Sequence, residues 1–189
     1  HWASLNKSTT RTFLWSDAAG TTDSSHVSTQ FSRLRAMALA YATTGSTLQG
    51  NPSLRSDILA GLDWMYANRY NETKAIYDNW WDWEIGSPKL FVDTVVLMHA
   101  DVGASQLANY LKAVEKFTPS ATTPAPGGST GTFTGANRMD KIYVVAIRGL
   151  LAPGATVLFT GCLSGASRDG VQLLRILAGP DIFNASVVG

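Results

Sequence analysis

The chain has 189 residues, a formal net charge of +1 and one cysteine, and these values exclude several classes of protein. The length predicts a single domain, residues 1–189, and the hydrophobic content of 45% excludes a disordered chain. Nucleic acid is not expected as a partner, because binding it takes a surplus of basic residues. Cys162 alone excludes an internal disulfide and a cysteine-based zinc site, and no metal or cofactor motif occurs.

The apolar stretches and sequons of the chain predict a soluble, secreted protein. The N-terminal residues lack a basic region followed by an apolar run, so a signal peptide is expected to have been removed. Residues 149–167 are the longest weakly charged apolar stretch, but their proline, glycines and hydroxyls make a membrane span unexpected. Three sequons, at Asn6, Asn71 and Asn184, favour an extracellular location.

Helical periodicity runs through most of the chain, and no period-2 strand pattern with hairpin turns interrupts it. The pattern predicts five helices before residue 152 and one or two more within 155–182. Their expected starts, in chain order, are Ser28, Pro52, Ser87, residue 107 and Asn137. Residues 118–135, with three prolines, four glycines and no charge, are expected to form a long loop.

Two helices have informative apolar faces. The third is apolar on nearly all sides, so it is expected to be buried between other helices. The fifth is expected to bury the face that carries Met139, Ile142, Tyr143, Ala146 and Leu150. Short connections predict antiparallel hairpins, so the fold class is all-α. Periodicity alone leaves a bundle, a solenoid and part of an α/α toroid open.

The segment Asn79–Pro88, NWWDWEIGSP, concentrates half of the six tryptophans within four positions. A tryptophan face stacks on the C–H surface of a sugar ring, and carboxylates and amides bind hydroxyl groups. The segment precedes the expected start of the third helix, so it is predicted to lie on a loop or a short turn. A purely structural role for the tryptophans is about as common, but three in four positions cannot all face one core.

The acidic residues of this region allow two interpretations. Asp82 and Glu84, with Asp93 further along, could supply the acid and base of an inverting glycosidase. Local pairing or capping at a helix entrance is favoured about two to one. Residues 132–141 offer a second polar cluster, in which Asn137 and Arg138 occupy the first turn of a helix and could bind a carboxylate. Capping and a solvated arginine are the simpler interpretation there.

NWWDWEIGSP and TGANRMDK, residues 134–141, together resemble polysaccharide lyase family 8, the hyaluronate, chondroitin AC and xanthan lyases. FSRLRAMALAYATTGS, residues 31–46, and ILAGLDWMYANRYN, residues 58–71, match early helices of that family in order and spacing. The resemblance covers most of residues 25–152. It implies an incomplete α/α toroid that binds an acidic polysaccharide and cleaves it by β-elimination at a uronate.

The resemblance also implies roles for particular residues. Asn137 resembles the catalytic asparagine that neutralises the uronate carboxylate, while Trp80 and Trp81 resemble the aromatic patch that stacks on sugars. Asn79 lies beside that patch, and Arg33, in the string RLR, is a weaker candidate for substrate contact. The base and acid of the family, a histidine and a tyrosine after the asparagine, have no counterpart: no histidine follows Asn137.

These features lead to two hypotheses from different classes. In the first, the chain is the N-terminal part of the α-domain of a lyase, inactive alone and completed by a missing C-terminal part. In the second, it is a non-catalytic helical module that binds carbohydrate. The inverting glycosidase is a distant third.

Overall fold

The structure is a computed structural model that describes residues 1–152, and this part of the chain is helical with no strand. The predicted all-α class is therefore confirmed. Five α-helices follow two short 3-10 segments, Trp2–Ser4 and Ser16–Ala18. The helices are α1 (Ser25–Ala42), α2 (Pro52–Asn68), α3 (Ser87–Leu97), α4 (Ala104–Phe117) and α5 (Gly135–Leu151). The helices predicted within 155–182 lie outside the described residues.

Helices α1 and α2 form the first antiparallel hairpin. Helix α2 starts at Pro52 as predicted, and Asn51 caps it, because the amide of Leu54 donates to the Asn51 side chain at 3.0 Å. The helices approach closely at Gly61, where an added Cβ would lie 2.6 Å from a methyl group of Leu34. The glycine therefore permits the close packing of this hairpin.

Helix α3 lies at the centre of the described structure and packs against α1, α4 and α5. Phe91, Val92, Val95 and Val96 are all buried, which confirms the burial predicted from its apolar sequence. Phe91 stacks on Phe31 of α1, with ring centroids 4.7 Å apart. With α4, α3 forms the second hairpin, so the antiparallel hairpins and the added α5 agree with part of an α/α toroid.

Helix α3 starts at Ser87 as predicted, but the residues before it do not form a loop. The backbone is already helical at Trp80 and Trp81, and residues Asp82–Gly86 form a π-helical turn. Pro88 lacks an amide N–H, so carbonyl groups of that turn lose their usual donor. The Tyr70 hydroxyl donates to Trp83 O and the Thr118 hydroxyl donates to Glu84 O, both at 2.8 Å. These side chains let the helix continue across the proline.

The predicted core face of α5 was wrong in part: Tyr143 and Leu150 are partly buried and pack against the core, but the face is rotated. Met139 is 47% exposed and Ile142 is 36% exposed, while the buried residues of this helix are Lys141, Val144, Ile147 and Leu151. The buried stripe begins with a lysine, a residue that the predicted face did not include. Lys141 is drawn into the interior by an ion pair described below, and the buried face is rotated accordingly.

A helix that spans a lipid bilayer has about 20 consecutive, mostly apolar residues. Within residues 1–152 no helix combines the length and the apolar character of a transmembrane span.

Candidate functional site

Trp80 and Trp81 differ from the other tryptophans in having indole N–H groups without a partner among residues 1–152. Trp81 is 39% exposed and Trp80 is half-buried, whereas Trp83 is fully buried. The four paired indoles, those of Trp2, Trp15, Trp64 and Trp83, donate to Asp57 and to the carbonyls of His1, Arg11 and Tyr77. A buried indole normally has such a partner. Trp80 and Trp81 thus offer a ligand two indole N–H donors, together with the accessible parts of their ring faces.

Hydrogen bonds from the start of α1 fix the position of the tryptophan segment. Asp78 has a φ of 58°, in the left-handed region, and its carboxylate accepts the Ser24 N–H at 2.9 Å. The Asp82 carboxylate accepts the hydroxyls of Ser24 and Ser28 at 2.9 and 2.8 Å. Asp82 therefore pairs with α1, as expected for a structural carboxylate at a helix entrance.

Asn79 and Gly86 set the local placement of Trp81. The Asn79 side chain accepts the Trp81 N–H at 3.1 Å, so this exposed asparagine caps the turn that carries the tryptophans. The Trp81 ring lies against Gly86, where an added Cβ would lie 2.6 Å from the indole. The structure thus gives Asn79 a capping role, and its predicted contact with substrate stays a prediction.

The end of the 118–134 loop joins the tryptophan segment to the start of α5. Phe133 is buried and meets Trp80 edge to face, with ring centroids 5.5 Å apart. Asn137 follows four positions later in the first turn of α5, where it is half-buried. Its side-chain amide has no hydrogen-bond partner within the described part of the chain, and Arg138 beside it is exposed. Through Phe133, the structure brings the segment that carries Trp80 next to the turn that carries Asn137.

A buried ion pair lies next to these residues, and the sequence analysis did not identify it. Glu84 and Lys141 are both fully buried, with Lys141 Nζ 2.7 Å from Glu84 Oε2. Glu84 also accepts the backbone N–H groups of Ala125 and Ser129 at 2.9 and 2.7 Å. Burial lowers the pKa of the Lys141 ammonium, and the carboxylate beside it opposes that shift.

The loop closes tightly over this ion pair. A Cβ at Gly128 would overlap Glu84 Oε1, so only glycine lets the backbone come this near. Lys141 also donates to Thr123 O at 3.0 Å and lies 3.9 Å from the centroid of the Phe133 ring. The sequence did contain a signal for this ion pair. Lys141 lies at helical spacing from Val144, Ile147 and Leu151, and a charged residue on such an apolar face needs a buried partner.

Comparison with known proteins decides the family. The model of the N-terminal α-helical domain of polysaccharide lyase family 8 matches residues 1–160. The chain is 37% identical over 174 residues to a xanthan lyase of Bacillus sp. and 30% identical over 190 residues to a hyaluronate lyase of Enterococcus faecalis. The chain belongs to polysaccharide lyase family 8.

Solved structures of family 8 lyases share the fold of this chain. The xanthan lyase of Paenibacillus matches 79% of it with a TM-score of 0.72 and 42% identity. The chondroitin AC lyase of Streptomyces coelicolor matches 94% with a TM-score of 0.69 and 33% identity. The chain spans only 14% and 21% of those two structures, and 17% and 18% of the two curated relatives.

Arg33 is not part of the cluster that this family 8 chain forms around Trp80. Its guanidinium makes a bidentate ion pair with Asp17, at 2.7 and 2.6 Å, and lies 5.4 Å from the Trp15 ring centroid. This pairing ties α1 to the N-terminal segment. Contact between Arg33 and a substrate therefore stays a prediction without geometric support.

The acidic residues weighed for glycosidase chemistry are engaged in structural contacts. Asp93 accepts Arg35 Nε and the Tyr143 hydroxyl, both at 2.6 Å, while Asp82 and Glu84 have the partners given above. Tyr143 is half-buried and packs against the core, in agreement with the face predicted for it. Within residues 1–152 no group of three acidic, histidine or cysteine side chains could hold a metal ion. These contacts favour the structural interpretation of Asp82 and Glu84.

Proposed function

We propose that this chain forms the sugar-binding N-terminal portion of a lyase that cleaves an acidic polysaccharide by β-elimination. The observation that carries the proposal is the pair of adjacent indoles at Trp80, which is half-buried, and Trp81, which is exposed; the N–H groups of both are unpaired in the described structure. The half-buried amide of Asn137, near the same segment, adds a group that suits a carboxylate. The relatives are named as xanthan and hyaluronate lyases, and both names denote cleavage of a polysaccharide.

The proposed binding mode assigns a separate task to each side chain. The faces of Trp80 and Trp81 stack on sugar rings, and their N–H groups donate to sugar hydroxyls. The Asn137 amide donates to the carboxylate of the uronate whose C5 proton is to be removed. This hydrogen bond stabilises the negative charge that develops on the carboxylate in an enolate-like state.

The elimination itself needs two further groups. A base takes the proton from C5, the C4–O bond breaks as the C4–C5 double bond forms, and an acid protonates the departing oxygen. Family resemblance places both groups after Asn137, yet the later part of this chain contains no histidine. Tyr143 donates its hydroxyl to Asp93, which makes it a poor substitute. We therefore propose that the 189-residue chain binds the glycan without cleaving it.

The binding experiment compares matched tryptophan variants. Isothermal titration calorimetry with hyaluronan, chondroitin and xanthan oligosaccharides gives Kd for the native chain, Trp80→Ala and Trp81→Ala. Loss of one stacked ring is expected to weaken binding by about tenfold, since aromatic stacking contributes about 0.5–1.5 kcal/mol beyond the area it buries. Trp64→Ala is the control, because this half-buried indole belongs to α2 and donates to the Arg11 carbonyl. Equal affinities for all four proteins would contradict the proposal.

A second experiment tests catalysis and separates the lyase from a binding module. The chain alone, incubated with the same glycans, is expected to give no ultraviolet-absorbing unsaturated uronate. The natural gene product that contains these 189 residues is expected to give it and to lose turnover on Asn137→Ala, with little change in KM. Binding without turnover by that gene product would instead favour the non-catalytic module.

We also propose that the protein acts outside the cell, on the strength of its sequons. Asn71 is an unsuitable acceptor, because its side-chain amide donates to Tyr66 O at 2.7 Å and the residue is only 9% exposed. Asn6 is less buried and is the better acceptor within the described residues. Mass spectrometry of the secreted protein is expected to find the modification at Asn6 and not at Asn71.

A further inference from the structure

The buried ion pair lies one helical turn from the proposed binding residues in both elements. Glu84 follows Trp80 by four positions, and Lys141 follows Asn137 by four positions. Residues four apart lie on the same side of a helix. The 2.7 Å contact between Lys141 Nζ and Glu84 Oε2 therefore connects the helical segment of Trp80 directly to the helix of Asn137.

The same two side chains also fix the loop between those elements. Glu84 accepts two backbone N–H groups of the loop, and Lys141 donates to the carbonyl of Thr123. The Lys141 ammonium lies over the ring of Phe133, and that ring packs on Trp80. The loop, α5 and the tryptophan segment thus meet at one buried centre.

We propose that Glu84 and Lys141 are positioning residues that set the distance and orientation between Trp80 and Asn137. The inference rests on the proposed function, because it assumes that one glycan contacts both residues. Neither charged group is exposed, so they act through Trp80 and Asn137 and not by touching sugar. A buried ion pair adds little net stability, whereas its fixed geometry holds the register between two elements. Productive binding depends on such register to within about 1 Å.

The test compares affinity with stability in the same variants. Glu84→Gln preserves shape and removes the carboxylate charge, while Lys141→Met removes the ammonium at similar length. The control Leu62→Ala creates a cavity at a buried site in α2, a helix that packs on α1 and α4. Calorimetry with the best-binding uronate oligosaccharide is run where far-ultraviolet circular dichroism shows each protein folded. We expect both ion-pair variants to bind on the order of tenfold more weakly, and Leu62→Ala to keep the native Kd.

A native Kd in folded Glu84→Gln or Lys141→Met would overturn the inference. Should these variants fail to fold, Gly128→Ala supplies the same test with both charges retained, because its Cβ displaces the loop from Glu84. Weaker binding by Gly128→Ala supports the positioning role, and native binding overturns it. If Trp80→Ala weakens binding but the ion-pair variants do not, only this inference fails. If Trp80→Ala also binds normally, the proposed function fails and the inference with it.

Discussion

Trp81 and Trp83 are separated by one residue, yet they belong to two different environments. Trp81 is 39% exposed with an unpaired indole N–H in the described structure, while Trp83 is 1% exposed and donates to the Tyr77 carbonyl at 2.9 Å. Trp83 also packs against Tyr70 and Phe117 in the aromatic core. The comparison shows that one helical segment carries the binding surface on one side and its anchor on the other.

The largest effect that should separate the two environments is on stability. Trp83→Ala removes a fully buried indole, so the free energy of unfolding should fall by about 3–5 kcal/mol. Trp81→Ala should lower it by only about 1 kcal/mol, because this residue is 39% exposed, whereas Trp83 is fully buried. Urea unfolding followed by circular dichroism measures both. Similar losses for the two variants would contradict the division.

The next prediction concerns the Tyr70 hydroxyl, which donates to the backbone carbonyl of the buried Trp83. Tyr70→Phe leaves the buried Trp83 carbonyl without its donor and should cost about 1–3 kcal/mol in unfolding free energy. Tyr66→Phe is the matched control, since the Tyr66 hydroxyl reaches the exposed carboxylate of Glu72. Its cost should stay within about 0.5 kcal/mol. Urea unfolding curves give the free energy of unfolding of both variants. A loss for Tyr66→Phe as large as that for Tyr70→Phe would refute the special role of the Tyr70 hydroxyl.

A smaller effect is expected on the exposed side. Gly86→Ala places a Cβ against the Trp81 ring and forces the indole from its position. Leaving a preferred rotamer costs about 1 kcal/mol, so the Kd for oligosaccharide should rise about fivefold. Calorimetry measures this change, and circular dichroism checks that helix content is retained. An unchanged Kd would show that the placement of Trp81 does not matter for binding.

The smallest predicted effect is on the ion pair of Asp17 and Arg33. Its carboxylate is exposed, in contrast to the fully buried pair of Glu84 and Lys141. The hydrogen bond from Arg33 lowers the pKa of Asp17 to about 2 from an ordinary 3.8. Because the folded pKa is the lower one, the pair stabilises the fold above pH 3.8, and this contribution is lost as the pH falls towards 2.

Asp17→Asn should therefore lower Tm slightly at pH 6, and the difference from the native Tm should shrink towards zero as the pH falls through about 2. Thermal unfolding of both proteins across this range gives the difference between them, so the titration of other carboxylates cancels. The difference should be small at every pH, because solvent screens an exposed pair. A difference that grows on acidification would contradict the sign of this linkage.

Most of the fold could be predicted from local sequence signals such as helix caps, prolines and apolar periodicity. Contacts between residues that are distant in the sequence could not. Asn51-Pro52 marks the start of α2 because a cap and a proline act on their own neighbours. The continuation of helix through residues 80–86 depends on hydroxyls from Tyr70 and Thr118, which no local pattern reveals. The buried face of α5 depends on Lys141 finding Glu84, 57 positions away.

The candidate site shows the same division. The tryptophans and Asn137 could be chosen from residue chemistry and family resemblance, because unusual side chains stand out in a string of letters. Arg33 could not be judged in this way, since its partner Asp17 lies 16 positions earlier in a separate segment. Whether a charged side chain is available to a ligand depends on whether a neighbour in the folded chain already pairs with it. That neighbour is known only from the fold.

The two hydroxyls that complete the helix across Pro88 have a consequence for protein engineering. Tyr70 follows the end of α2 and Thr118 follows the end of α4. Two carbonyl groups within residues 79–88 therefore accept hydrogen bonds from other parts of the chain. Transplanted alone into another helical scaffold, this decapeptide would carry its tryptophans but leave two carbonyls without donors. A portable version of the sugar-binding turn must include both hydroxyls or replace the proline with a residue that supplies its own N–H.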